Sequence, residues 1–211
     1  MLTVLFTILV SFIITLISVP KIKLLGLKFE LFDQPNSRKS HNTKIVRIGG
    51  LSIIFSIFLT LTILYIFNFL NINNTIEYKN FSLIFFGSIL FFIIGIYDDK
   101  FNLSPYRRLI FQFTTTFILW SLGLKFEAIS VPDFISEDNI YSFNNIYSLI
   151  ISSIWIVGIT NAINWMDGLD GLATGICLIT AIGLSYLSSP NGIIEINLWL
   201  IALVGSCLGF L

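Results

Sequence analysis

Asp98 and Asp99 end an apolar stretch and lead into Lys100-Phe101-Asn102-Leu103-Ser104-Pro105-Tyr106-Arg107-Arg108. Two adjacent carboxylates repel each other and call for a nearby cation. A magnesium ion would serve, because such sites combine one or two carboxylates with substrate phosphate oxygens. Arg108 is a second source of positive charge, at the start of a helix that Pro105 can open. The plainer alternative is a charged terminus that merely ends a membrane helix.

A second group runs Asn161-Ala162-Ile163-Asn164-Trp165-Met166-Asp167-Gly168-Leu169-Asp170-Gly171-Leu172-Ala173. Asn161, Asn164 and Asp167 recur every third residue, which aligns them along one helix face. Gly168 and Gly171 let the backbone turn or approach a ligand. Asn and Asp offer oxygen donors suited to a hard cation. Read as a simple polar helix stop, the group would hold more polar groups than ending a helix requires.

A third group, Asp33-Gln34-Pro35-Asn36-Ser37-Arg38-Lys39-Ser40-His41, is followed by Arg47-Ile48-Gly49-Gly50. Basic side chains before a glycine-rich helix start suit anionic phosphate. For most of these Lys and Arg, ordinary positive-inside topology is the simpler reading. His41 is the single histidine and carries no expected catalytic role.

The elements that must position these groups are transmembrane helices. Hydrophobic residues make up 55% of the chain and charged residues 11%, too few to coat a water-facing surface when soluble domains carry roughly 25%. Mean hydropathy is +0.90. The formal net charge of zero gives no basic tract for nucleic acid. Cys177 and Cys207 lie in apolar runs and read as small buried hydrophobes. A bilayer core takes about 20 apolar residues per helix. Seven segments approach that length: Leu2–Val19, Ile48–Leu70, Phe81–Tyr97, Leu109–Leu124, Ile146–Ile163, Leu172–Leu187 and Ile196–Leu211. The fold expected is all-α, a polytopic transmembrane helix bundle of about seven spans in a single domain, residues 1–211. The first span is no secretory signal, because its basic residues follow the apolar run instead of preceding it.

Orientation follows from Lys and Arg. Lys21, Lys23, Lys28, Arg38, Lys39, Lys44 and Arg47 follow the first span, in an expected loop, and Lys100, Arg107 and Arg108 follow the third. Only Lys79 and Lys125 fall on the other side. The richer side is expected in the cytoplasm, with the amino terminus outside and Asp98, Asp99, Asp167 and Asp170 at inner helix ends. The outer segment Lys125–Asn145 is expected to hold a small β-hairpin.

Together the three groups resemble the polyprenyl-phosphate N-acetylhexosamine-1-phosphate transferases. The resemblance rests on Asp98-Asp99 with Asn102-Leu103-x-Pro105, on the block from Asn161 to Leu172, and on the Asp33–His41 loop, and it spans nearly the whole chain. It is closer to the branch that begins surface-polymer synthesis than to the phospho-MurNAc-pentapeptide transferases of peptidoglycan synthesis. It implies transfer of a sugar 1-phosphate from a UDP-sugar, such as UDP-GlcNAc, to a polyprenyl (undecaprenyl) phosphate, with release of UMP. The implied setting is the inner (plasma) membrane, with membrane lipid as partner, a homodimer allowed, and magnesium, or manganese, as cofactor. By the same resemblance Asn164 and Asp99 serve the metal, and Asp98 deprotonates or orients the lipid phosphate. Asp167 and Asp170 shape the metal or nucleotide pocket, and Arg108, Asp170, Arg38, Lys39 and Arg47 bind substrate.

Val46 stands where the family often has proline. The larger departure is that the chain stops at Gly209-Phe210-Leu211, before an expected further Gly-Asp block and histidine loop. It is therefore expected to be an incomplete copy of a longer bundle and weak in metal and UDP-sugar binding by itself; an inactive truncated member is one alternative. A secondary transporter is the reading from another class. It would place its carboxylates near the bilayer midplane in broken helices, whereas here they fall at helix ends beside basic loops.

Overall fold

Each of the seven apolar stretches folds as a helix. The computed structural model describes residues 2–29, 31–33, 45–67, 75–131, 140–167, 171–188 and 194–211. The helices are α1 (Leu2–Lys28), α2 (Gly50–Ile66), α3 (Thr75–Phe101), α4 (Pro105–Leu122), α5 (Asn145–Met166), α6 (Leu172–Ser188) and α7 (Ile194–Phe210). By length and composition α1, residues Lys79–Phe101 of α3, and α5 are able to cross a membrane; α2, α6 and part of α7 are shorter apolar helices. The protein is an all-α membrane bundle, its strands confined to two short antiparallel pairs among the described residues.

The helices group into two compact units, residues 1–78 with 167–211, and residues 79–166. In the first unit the usual burial pattern is reversed along α1, although α2 and α7 bury Leu61, Leu64, Leu198 and Ile201. Along α1 the buried residues include Thr7, Ser11, Thr15 and Ser18, while Leu5, Leu9, Ile13 and Leu16 are exposed. Lipid tails are as apolar as leucine, so membrane helices associate through small residues that permit close approach. The buried hydroxyls are satisfied within their own helix: Ser11 Oγ donates to the Thr7 carbonyl at 2.9 Å, and Thr15 Oγ1 donates to that of Ser11 at 2.9 Å. Ser56 of α2 reaches across to the Ser11 carbonyl at 2.6 Å.

The face of α7 against α1 carries Gly205 and Gly209, four residues apart. A Cβ on Gly205 would collide with Ser11 Oγ and the Ile8 carbonyl oxygen, and one on Gly209 would lie 2.5 Å from the Phe12 carbonyl oxygen. Gly205→Ala is therefore expected to destabilise this unit by about 1–3 kcal/mol. Gly183→Ala, which adds a methyl where nothing lies within 4 Å, should be neutral. Thermal unfolding of the two variants in one detergent checks the difference.

One expectation needs correction. Helix α1 does not end at Val19; it continues through Pro20 to Lys28 and carries Lys21, Lys23 and Lys28 on its last turns instead of in a loop. Proline removes one N–H and crowds one carbonyl, which a well-packed membrane helix tolerates. Packing supports the extension, since Gly26 lies so close to the next segment that a Cβ would clash with Val46 and stand 3.2 Å from Ile48. The chain then forms β1 (Phe32–Asp33), paired antiparallel with β2 (Ile45–Val46) in the register Phe32↔Val46 and Asp33↔Ile45. A short 3₁₀ turn, Arg47–Gly49, leads into α2.

The second unit holds α3, α4 and α5. Between α4 and α5, β3 (Ala128–Ser130) pairs antiparallel with β4 (Ile140–Ser142), as expected for this segment. Serines of α5 anchor the strand approach: Ser148 Oγ donates to the Phe126 carbonyl at 2.6 Å, and the Phe126 N–H donates to Ser152 Oγ at 2.9 Å. Trp120 Nε1–H of α4 donates to Ser148 Oγ at 3.1 Å.

Candidate functional site

Asp98 and Asp99 lie in the last turn of α3, which runs on to Phe101. Asn102 ends the helix with φ of +47°, a left-handed conformation that asparagine tolerates, and its N–H closes on the Asp98 carbonyl at 2.8 Å. Pro105 is the first residue of α4, where its missing N–H costs nothing. Only Asn102, Leu103 and Ser104 separate the two helices, so the end of α3 and the start of α4 must lie side by side.

That geometry brings Arg108 to Asp98. Arg108 Nη1 donates to Asp98 Oδ2 at 3.0 Å, with the side chains 21% and 20% exposed. Exposed ion pairs contribute about 0.2–1 kcal/mol, whereas removing one partner of a buried pair costs about 3–5 kcal/mol. A pair one-fifth exposed falls between. Arg108 Nε is also buried and has no hydrogen-bond partner among the described residues. A cationic donor with an unused buried N–H is suited to an anionic oxygen. Asp99, beside Asp98, is exposed.

One turn along α4 stands Gln112, 4% exposed. Its Oε1 accepts a hydrogen bond from Asn161 Nδ2 at 2.7 Å, and the same Nδ2 donates to the Val157 carbonyl at 2.8 Å. Side-chain hydrogen bonds between membrane helices average about 0.6 kcal/mol and reach about 1.7 kcal/mol. The sequence pattern placed Asn161, Asn164 and Asp167 on one functional face, and the structure divides them. Asn161, 8% exposed, is committed to packing against α4. Asn164 is exposed in the last turn of α5, and Asp167 is exposed just beyond Met166, where the helix has ended. Gln112 escaped the motif-based reading; its only signal was an uncharged polar residue inside the apolar stretch Leu109–Leu124.

The first unit gathers the remaining described candidates at one end. Gly49, just after Arg47, has Phe210 of α7 about it, and a Cβ on Gly171, which has φ of +76°, would lie 2.9 Å from Leu211 Cδ2. The start of α2, the start of α6 and the end of α7 therefore share that end. Arg47 opens the 3₁₀ turn there, its side chain outside the described set. Asp170, Arg38, Lys39 and His41 also lie outside the described residues. Among the described residues no group of three or more His, Cys, Asp or Glu is placed to hold a metal by itself. Helix α3, which bears Asp98 and Asp99, and helix α5, which ends one residue before Asp167, are continuous, unlike the broken spans of the transporter reading.

Residues 81–211 match the sequence profile described as Glycosyl transferase family 4. A Bacillus subtilis (strain 168) protein, described as a probable undecaprenyl-phosphate N-acetylglucosaminyl 1-phosphate transferase, is 33% identical over 97% of this chain and 54% of its own length. The Thermotoga maritima undecaprenyl-phosphate alpha-N-acetylglucosaminyl 1-phosphate transferase is 31% identical over 82% of this chain and 48% of its own length. A phospho-N-acetylmuramoyl-pentapeptide-transferase of Staphylococcus saprophyticus is 30% identical over 96% of this chain and 64% of its own length. The chain thus spans about half the length of the curated relatives it matches. With the carboxylate pair, its arginine and the Asn161–Leu172 sequence block in the order the motifs required, and with more than half of the chain matching one profile, the chain belongs to glycosyl transferase family 4.

Proposed function

We propose that the whole protein transfers N-acetylglucosamine 1-phosphate, or a close N-acetylhexosamine relative, from its UDP derivative to a polyprenyl phosphate. A phosphate oxygen of the lipid bonds to the sugar-bearing phosphorus of the donor, the bond from that phosphorus to the UMP oxygen breaks, and UMP leaves. The observation that carries this reading is the Asp98–Arg108 pair beside exposed Asp99 at the joined ends of α3 and α4. Phosphoryl transfer is chiefly a matter of positioning and charge stabilisation, and this corner supplies both. Arg108 orients the Asp98 carboxylate toward the lipid phosphate and offers its remaining N–H groups to the diphosphate. Asn164 and Asp99 contribute oxygen donors, and Asp167 and Asp170 border the nucleotide. Arg38, Lys39 and Arg47 attract the soluble anionic donor from the cytoplasmic side, where the Lys and Arg distribution puts them.

The donor set fits magnesium, or manganese. It consists of carboxylate and amide oxygens, and Asp98 already has a cationic partner, so a hard ion would hold few protein ligands and complete its shell with substrate phosphate oxygens. When bound, the ion offsets charge on the diphosphate and on departing UMP.

The reading is tested in membranes containing the whole protein, undecaprenyl phosphate and labelled UDP-GlcNAc. UMP and a lipid-linked sugar should appear together and stop with EDTA. Turnover of UDP-MurNAc-pentapeptide in its place would favour the peptidoglycan branch, to which several relatives belong by name. Release of neither product overturns the transferase assignment.

A further inference from the structure

We infer that Gln112 is a positioning residue for this site, acting through Asn161 to fix the rotation of α5 that presents Asn164. The inference rests on the transferase reading only for what Asn164 does, not for the geometry. Helices α4 and α5 run antiparallel, since Gln112 meets Asn161 while Trp120, further along α4, meets Ser148, earlier on α5. Arg108 and Gln112 are four residues apart on α4 and so share one face. Moving one turn from the Gln112–Asn161 bond toward the site brings Arg108 on one helix and Asn164 on the other.

Helix α4 thus carries two polar rungs. Arg108 holds Asp98 of α3, and Gln112 holds Asn161 of α5. A second α4–α5 side-chain bond, Trp120 to Ser148, lies toward the opposite end, about 12 Å away along α4 and about 20 Å away along α5 at 1.5 Å per residue. It restrains the far end of α5, while the Gln112–Asn161 bond restrains the end that bears Asn164. Lipid-facing apolar contacts are weakly directional, whereas an amide-to-amide bond buried at 2.7 Å admits a narrow range of helix rotations. Asn161 spends one N–H on Gln112 and directs the same nitrogen to Val157 of its own helix, so its amide nitrogen serves packing and not the substrate.

The test uses the whole protein purified in detergent. Gln112→Met keeps length and removes the acceptor; Gln112→Asn shortens it; the exchange Gln112→Asn with Asn161→Gln restores the summed reach. Manganese binding is read by electron paramagnetic resonance without turnover, kcat and KM are read with UDP-GlcNAc, and thermal midpoints are read for each variant. Gln112→Met should weaken manganese binding and lower kcat by about tenfold, with the KM for UDP-GlcNAc within about twofold and the midpoint little changed. The exchange should recover most of both losses. Unchanged manganese affinity in both single variants overturns the inference, as does an exchange no better than Gln112→Asn alone. If Gln112→Met does not fold, Gln112→Asn and the exchange decide the question. If the unaltered protein turns over no UDP-sugar, the transferase reading fails, and the manganese arm still decides the role of Gln112.

Discussion

Arg108→Ala in the whole protein should lower kcat by about 10²- to 10³-fold, the usual cost of removing one preorganised donor to developing phosphate or oxyanion charge. The loss has two parts. Asp98 loses the partner that holds it at 3.0 Å. The diphosphate loses a donor whose Nε is buried and unpartnered among the described residues. Arg108→Lys restores charge but not the planar fork, so it should recover only part of the rate. Asp98→Asn combined with Arg108→Ala separates the parts. If Arg108 acts mainly by orienting Asp98, the double variant should be about as slow as the worse single one; additive losses would show that it acts on substrate independently. Steady-state kinetics on matched membrane preparations provides the measurement. Wild-type kcat in Arg108→Ala would remove the arginine from the site.

Asp99→Asn should abolish most of the rate at ordinary magnesium, by about 10²-fold or more, and its residual rate should saturate only at higher magnesium. Asp99 is exposed at the same helix end where Asp98 pairs with Arg108, and on the transferase reading its carboxylate contributes an oxygen to the cation. Asn164→Ala should shift the magnesium requirement in the same direction with a smaller loss, because an amide oxygen supplies no net charge. Magnesium titrations of initial rate distinguish the two. An Asp99→Asn enzyme with lowered kcat and an unaltered magnesium midpoint would move Asp99 from the metal to the lipid phosphate.

The sequence by itself determined the class of the fold, the seven helices found among the described residues and the residue types of the candidate site. Those properties depend on composition, on apolar run length and on short spacings, all of which are local. The Asn102-Leu103-Ser104-Pro105 turn illustrates the point: a residue tolerant of positive φ followed by a proline forces two adjacent antiparallel helices, and Arg108 then meets Asp98. The hairpin at Ala128–Ser130 and Ile140–Ser142 was legible for the same reason. Tertiary structure decided the rest. Asn161 shares a three-residue spacing with Asn164 and Asp167, yet burial against Gln112 separates it from them, and α5 ends before Asp167. Spacing states which residues can share a face; it does not state which neighbouring helix covers part of that face. Likewise, Pro20 read as a boundary, but the helix continues because the packing of Gly26 against Val46 and Ile48 outweighs one lost backbone bond. Gly205 and Gly209 gained meaning only when α1 was found against them. In a lipid environment hydrophobicity marks which segments enter the membrane, while small residues and paired polar groups select which segments meet, and those partners are distant in sequence.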